Sequence, residues 1–385
     1  MARVPRRVVI LVCDGLGVGA APDAAAYGDE GSDTLGHVLE RHPVALPNLD
    51  RLGLTALVGR GPPVGVRGKL SEISAGKDTT TGHWEMMGLT VERPFPLYPN
   101  GFPLEIVRRL EEHVGKRVLG NKAASGTVIL EELGAEHLAT GRPILYTSGD
   151  SVFQIACHEE IWPPEKLWEV CRFARSLLTG DHNVGRVIAR PFVGRPGAFR
   201  RTANRRDFAV EPIGETWLDR LVAAGRRVFG VGKIVDIFSG RGISDSVHTA
   251  SDAEGLRVTS DRLREGGWDF VFTNLVDFDS KYGHRNDPAG FAKALSILDA
   301  GLPEVLAALG PGDLLLATGD HGCETTDVST DHTREYVPLL AAGPAVRGDA
   351  DLGARRGFCD LSATAGEWLG VPAPRGESAL SRILA

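Results

Sequence analysis

Several apolar runs of the chain lead, directly or within a few residues, into acids and histidines. Val8-Val-Ile-Leu-Val-Cys13 has six consecutive apolar residues, mostly β-branched, a pattern that predicts a parallel strand buried on both faces. Asp14 ends it. The stretch from Trp268 to Val276 is again mostly apolar and leads into Asp277, Asp279 and His284. Asp313-Leu-Leu-Leu-Ala317 predicts a third such strand, followed by Asp320 and His321 and, after a hydroxyl-rich loop, by His332. Elsewhere the period changes to that of a helix. Ala289–Leu309 carries Phe291, Leu295, Leu298, Leu302 and Val305 near one face, and Glu215–Ala224 predicts an amphipathic helix stopped by Gly225. Arg227–Lys233 then predicts a short strand ending in Lys233. Alternating strands and helices imply an α/β fold whose largely parallel sheet is flanked by helices. Sites in such sheets form at the carboxyl ends of strands.

One stretch breaks the alternation. Glu92-Arg-Pro94-Phe-Pro96-Leu-Tyr-Pro99-Asn-Gly-Phe-Pro103 is a stiff connection that reads as a domain crossing, and the chain returns near Glu211-Pro212. A core over residues 1–95 and 210–385 is therefore expected, with a small inserted domain over 100–207; 385 residues suffice for both. The insert shows helical spacing over Leu104–His113, with a further element over Thr127–Leu133, and holds Ser148 and Asp150. It also carries Arg186, Arg190, Arg195, Arg200, Arg201, Arg205 and Arg206 within 21 residues. These are either solvated loop charges or a docking surface for an anionic small molecule.

Composition narrows the function classes. Hydrophobic content of 42% with 24% charged residues suits a globular protein. A net charge of −7 argues against a nucleic-acid surface as the main business. The five cysteines are odd in number, scattered and free of any Cys-x-x-Cys spacing, so neither a disulfide framework nor a thiolate metal site is indicated. No run approaches the roughly 18 apolar residues of a membrane span, and Val8–Cys13 is too short for a signal-peptide core. A cytoplasmic location is expected, with no membrane partner.

Two motifs carry candidate chemistry. Gly15-Leu-Gly17-Val-Gly-Ala20 matches a dinucleotide fingerprint, but that turn must enter a helix directly, whereas Pro22 and the loop Tyr27–Asp33 follow here. Lys77-Asp-Thr79-Thr-Thr-Gly-His-Trp-Glu85 predicts a helix N-terminus, with a threonine as cap and Glu85 in the first turn. A phosphoryl group would also be welcome there, because free N–H groups and the helix dipole point at it. Asp14, Asp279, His284, Asp320, His321 and His332 together supply three carboxylates and three imidazoles, with Thr79 as a further oxygen donor. Mixed N/O ligands without thiolate suit Mn²⁺ or Zn²⁺ better than Ca²⁺. The set exceeds the need of one tetrahedral ion, so two divalent metals are expected. Such a pair supports phosphoryl transfer, with Thr79 as nucleophile.

The same motifs, together with Gly31-Ser-Asp-Thr-Leu-Gly-His37, Asn121-Lys-Ala-Ala-Ser-Gly-Thr127, Tyr146-Thr-Ser-Gly-Asp-Ser-Val-Phe-Gln154, Asp277-Phe-Asp-Ser-Lys-Tyr-Gly-His284 and Thr330-Asp-His-Thr-Arg-Glu-Tyr-Val-Pro338, span nearly the whole chain. On them the chain resembles the phosphopentomutase family of the alkaline phosphatase superfamily. That resemblance implies an alkaline-phosphatase-like core with an inserted α/β cap. It also implies transfer of phosphate between C1 and C5 of ribose or 2-deoxyribose, linking nucleoside salvage to pentose phosphates. Thr79 would carry the phosphoryl group, and a pentose 1,5-bisphosphate would be the intermediate. One metal, Mn²⁺ as a rule, would be held by Asp14, Thr79, Asp320 and His321, and the other by Asp279, His284 and His332. Ser148, Asp150, Arg186, Arg201 and Lys233 would meet the sugar or its distal phosphate, and a pentose 1,5- or hexose 1,6-bisphosphate would act as activator. The chain departs from the family pattern at Glu324-Thr325, Gly149 and Ala123, none of which removes a ligand. Gly149, beside Asp150, leaves the choice between ribose and deoxyribose open. The competing readings are a metal-dependent phosphatase or phosphodiesterase on the same scaffold, in which water accepts the phosphoryl group, and a sugar-phosphate-binding protein without chemistry.

Overall fold

A computed structural model describes residues 6–148 and 151–385. The chain divides into two compact units, Met1–Arg93 with Pro212–Ala385, and Pro94–Glu211.

The first unit is built on an eight-stranded sheet. Its strands lie in the order Asp245–Val247, Val228–Val231, Phe270–Leu275, Arg7–Cys13, Asp313–Gly319, Val337–Ala342, Gly65–Ser71 and Asp349–Arg356. Arg7–Cys13 is central and pairs in parallel on both sides, with Val8 opposite Phe270 and Leu314. Its residues Val8 to Val12 are at most 1% exposed, which is why the sequence there has no polar alternation. Val337–Ala342 alone runs against both of its neighbours. It follows Asp313–Gly319 through a loop without a crossover helix, and such a connection returns the chain antiparallel.

Helices cover both faces of this sheet. Pro288–Ala307 buries Phe291, Leu295, Leu298 and Leu302 against Val9, Leu11 and Leu315. Asp360–Leu369 covers the other face of the central strand, where the indole of Trp368 donates to the Arg7 carbonyl at 3.1 Å. The helix expected over 215–224 spans Trp217–Ala223. It starts in a capping box, with Thr216 accepting from the Asp219 amide and Asp219 from the Thr216 amide, which sets its first residue.

The second unit holds a six-stranded mixed sheet, Leu119–Ala123, Ile144–Thr147, Val152–His158, Arg186–Val193 and Arg200–Arg201 in order, with Arg206–Ala209 also pairing with Arg186–Val193. Helices Leu104–Val114 and Pro164–Leu177 pack into one cluster with Phe153 and Ile155. Gly126–Thr140, about twice the length suggested by its apolar residues, packs Ile129 and Leu130 with Ile144 and Tyr146. No described helix is long and apolar enough to cross a membrane.

Candidate metal centre

The three strands that the sequence marks as ending in acids and histidines lie side by side, with Arg7–Cys13 in the middle. Asp14 therefore emerges between Asp320, which follows Asp313–Gly319, and Asp279, which follows Phe270–Leu275. Asp279 is carried by a single π-helical turn, Phe278–Tyr282; such turns are frequent at functional sites.

Two groups of side chains converge there. Asp14, Asp320 and His321 bring their donor atoms within 4.8 Å of one another, and so do Asp279, His284 and His332. Thr79 adjoins the first group, its hydroxyl 3.2 Å from His321 Nε2 and 3.5 Å from Asp14 Oδ1. The groups touch where the His321 and His332 rings stack at 3.7 Å.

The donor set fits divalent metal on the geometry of the imidazoles. Each ring places Nδ1 against a backbone carbonyl: His321 on Gly322 at 3.0 Å, His284 on Thr330 at 2.9 Å, His332 on Lys77 at 3.1 Å. In the neutral ring, the form that can bind a metal, a nitrogen in that position carries the proton, which leaves Nε2 with the lone pair. The Nε2 atoms of His284 and His332 lie 3.3 Å apart and at 3.3 and 3.4 Å from Asp279 Oδ1. Three acceptors thus face one another. Asp279 Oδ1 and Asp320 Oδ2 are buried without a hydrogen-bond donor. Buried acceptors crowded in this way are costly unless a cation sits among them.

The electrostatics agree. In the metal-free chain burial opposes charge on His321, but Asp320, Asp14 and Asp279 outweigh it and push its pKa up to about 10. Burial alone would raise the pKa of Asp14, yet Lys233 and His321 hold it well below the usual carboxylate range. Burial and the Asp14 charge also act to raise Asp279, but His332 and Lys233 bring it down to about 2. A field that retains a proton on a buried imidazole also attracts a metal ion, and metal binding displaces that proton. All five cysteines are free and buried.

Local structure explains how Thr79 reaches this place. The helix Thr79–Met86 is capped by Asp78, not by a threonine as expected: Asp78 accepts from the Thr81 amide at 3.1 Å and the Thr81 hydroxyl at 2.6 Å. The Asp78 carboxylate takes the cap, and Thr79 is left as the first helical residue with its hydroxyl turned to His321 and Asp14. Glu85 lies in the last turn instead of the first, where its carboxylate accepts from the amides of Ile73, Ser74 and Phe358. Gly82 is required for the approach, because a Cβ there would come 2.2 Å from the Asp320 carbonyl oxygen.

The other expected residues fall into two sets. Lys233 belongs to the first unit and extends its ammonium to 3.2 Å from Asp14 Oδ2 and 3.8 Å from Asp279 Oδ2, between the two donor groups. Ser148, Arg186 and Arg201 belong to the second unit; Arg186 opens the strand Arg186–Val193, 3.8 Å from Asp207. Arg201 is exposed and extends its guanidinium over Gly126 beside the Tyr146 hydroxyl. Asp150 lies outside the described residues.

Several buried polar residues escaped the sequence reading. His83 and Asn274 adjoin Thr79 and Asp14, and Arg334 and Glu335 brace the loop that bears His332. Glu335 accepts from the Thr34 amide and hydroxyl, the Gly19 amide and the Thr333 hydroxyl. His83, Arg334 and Glu335 were signalled only by their position inside motifs, and Asn274 only as a polar residue inside an apolar strand.

Comparison with known proteins gives the family and the fold. The family model of the metalloenzyme superfamily matches residues 6–373. The chain is 53% identical over 385 residues to the phosphopentomutase of Caldanaerobacter subterraneus subsp. tengcongensis, covering 98% of each chain. Its fold is similar to that of a Pyrococcus horikoshii protein (TM-score 0.51, 16% identity, 97% of this chain and 100% of that one). It is also similar to the phosphoglycerate mutase of Leishmania mexicana (TM-score 0.50, 13% identity, 98% of both).

Proposed function

The chain belongs to the phosphopentomutase family of metalloenzymes and is an isomerase; on that premise we propose that it moves a phosphoryl group between C1 and C5 of ribose or 2-deoxyribose, through a phosphothreonine at Thr79 and a pentose 1,5-bisphosphate. The observation that carries this reading is the position of the Thr79 hydroxyl at the start of a helix, 3.2 Å from His321 Nε2 and beside Asp14.

One metal ion is assigned to Asp14, Thr79, Asp320 and His321, and a second to Asp279, His284 and His332, with Mn²⁺ as the family's usual ion. When bound, such a pair lowers the pKa of a hydroxyl and neutralises charge on a transferring phosphoryl group. The remaining work falls to the chain. Thr79 supplies the nucleophilic oxygen, and the positive end of its helix favours the phosphothreonine. Lys233 brings a further positive charge to the same place. Ser148, Asp150, Arg186 and Arg201 are assigned to the sugar and its distal phosphate. A mutase must hold its bisphosphate while the two ends exchange, a demand that hydrolysis does not make, and the guanidinium fork suits it. A pentose 1,5- or hexose 1,6-bisphosphate would load Thr79. A cytoplasmic place in nucleoside salvage, with small pentose phosphates as the partners, completes the reading.

The test supplies ribose 1-phosphate, Mn²⁺ and a trace of ribose 1,5-bisphosphate, and follows ribose 5-phosphate and inorganic phosphate together. Ribose 5-phosphate without inorganic phosphate is expected. Inorganic phosphate as the main product would replace the mutase by a hydrolase.

A further inference from the structure

The buried polar groups at the metal centre include a run of contacts that neither the donor set nor the nucleophile accounts for. Asn274 lies in the strand Phe270–Leu275, is fully buried, and stands in register with Val12, two residues before Asp14. Its amide nitrogen is 3.2 Å from Asp14 Oδ2 and 3.3 Å from His83 Nε2, while its carbonyl oxygen is buried without a partner. The chemistry of the neighbours fixes this orientation, since the reversed amide would press an oxygen against the Asp14 carboxylate. His83 is buried as completely. Its Nδ1 lies 2.8 Å from the Thr79 carbonyl oxygen and 3.2 Å from Asp320 Oδ2. The proton therefore sits on Nδ1, and Nε2 accepts from Asn274. A path of contacts runs from Asp14 through Asn274 and His83 to the backbone of Thr79.

We propose that Asn274 and His83 act as one positioning pair for phosphoryl transfer, aligning the carboxylate of Asp14 with the first turn of the helix that carries Thr79. Asn274 and Lys233 both occupy Asp14 Oδ2, so Oδ1 is the oxygen turned toward Thr79 and His321. His83 fixes the backbone of Thr79 and flanks Asp320 from the other side. Neither residue is a hydrogen-bond partner of the Thr79 hydroxyl, so neither exchanges a proton with it. Burying an amide with an unpartnered oxygen carries a cost that leucine, of the same branched shape, would avoid; the two directed contacts to Asp14 and His83 are what it supplies in exchange. The inference rests on the reading of Thr79 as nucleophile.

The experiment compares the full-length protein with Asn274→Leu, His83→Asn and the double variant. His83→Asn keeps a donor near the Nδ1 position and removes the ring edge that meets Asn274. Formation of phosphothreonine from ribose 1,5-bisphosphate is followed by intact mass at saturating Mn²⁺, alongside kcat and KM for ribose 1-phosphate. Mn²⁺ affinity of the metal-free protein is measured by calorimetry. Misalignment of a reacting group by about 1 Å costs on the order of 10²-fold in rate. Each single variant should therefore slow phosphothreonine formation and kcat by roughly that factor, with KM and Mn²⁺ affinity changed by no more than about threefold. The double variant should be no slower than the slower single one, because the path is already cut. Wild-type rates in the single variants, losses that multiply in the double, or a loss that vanishes as Mn²⁺ is raised would overturn the proposal. If Asn274→Leu does not fold, His83→Asn and His83→Gln decide the matter by the same rates. A wild-type protein that never forms phosphothreonine would instead overturn the reading of Thr79 on which the pair depends.

Discussion

Replacing Arg334 by methionine tests whether the loop bearing His332 and the loop leading to Thr79 stand as one braced unit. The Arg334 side chain is 3% exposed. Its guanidinium donates to the Asp23 carboxylate at 2.9 Å, to Glu72 Oε2 at 2.7 Å, and to the carbonyl oxygens of Glu72, Ser74 and Gly76. Glu72 is 2% exposed. Burial, then repulsion from Glu85, already raise its pKa well above the ordinary value despite the pull of Arg334. Methionine fills much of the same volume but leaves that carboxyl and three carbonyl oxygens without their donor. Removing one partner of a buried pair costs about 3–5 kcal/mol, and uptake of a proton by Glu72 places the expected loss near the lower limit. At about 2–4 °C per kcal/mol for a unit of this size, the melting temperature should fall by roughly 10 °C. Calorimetric melting of the metal-free protein measures this directly. Adding Glu72→Gln should recover part of the loss, because an amide is buried neutral from the start whereas Glu72 must first take up a proton. A fall of under about 2 °C, or a double variant that loses the full sum of the two single effects, would refute the reasoning.

Three further outcomes follow from the same centre. In the metal-free protein the raised pKa of His321 contributes stability that is full below 6.5 and is lost as the pH rises toward about 10, whereas the lowered pKa of Asp279 contributes stability above 3.8 that is lost as the pH falls through about 2. Mn²⁺ titrations near pH 7, in buffers of differing ionisation enthalpy, should accordingly show about one proton released from the His321 group; no release would contradict the assignment. Thr79→Ala should abolish phosphothreonine and lower kcat by at least about 10³-fold while Mn²⁺ still binds; near-native turnover by this variant would remove Thr79 as nucleophile. Gly82→Ala places a Cβ 2.2 Å from the Asp320 carbonyl oxygen, so the helix must retreat from the strand end, at a cost of about 1–3 kcal/mol and a loss of turnover; unchanged turnover in Gly82→Ala would show that close approach is not needed.

What the sequence reveals and what it hides divide along a physical line. Val8–Cys13 and Asp313–Ala317 are legible as strands because both faces of a central parallel strand are buried, which leaves no polar position inside the run. Asp14, Asp279, Asp320 and His321 are legible because they stand where those runs stop. The cap of the Thr79 helix is misread because Asp78 and three threonines are all competent caps, and only the packed loop decides among them. Glu85 is misplaced because its partners, the amides of Ile73, Ser74 and Phe358, include one more than 270 residues away in sequence.

The deepest layer of the site lies in backbone atoms, which no residue identity reports. Histidine can ligate a metal only through a ring nitrogen with a free lone pair, and here the carbonyls of Gly322, Thr330 and Lys77 each engage the Nδ1 of His321, His284 and His332. Two of the three carbonyls belong to the loop between Gly319 and Val337, and the third immediately precedes the cap of the Thr79 helix. Arg334 joins these same stretches, from its own loop to the carbonyls of Ser74 and Gly76. The buried arginine touches no proposed ligand side chain, and it connects to the His332 ring through the backbone, since the Gly76 carbonyl it holds adjoins Lys77, whose carbonyl meets His332 Nδ1. The loss of order expected in Arg334→Met should reach His332 before it reaches Asp14, whose place is set by the central strand. Mn²⁺ binding to the Asp279, His284 and His332 group should accordingly weaken more than binding to the Asp14, Asp320 and His321 group, and calorimetric titration of that variant should resolve the two; equal weakening of both would mean that the loops do not carry the lone-pair geometry.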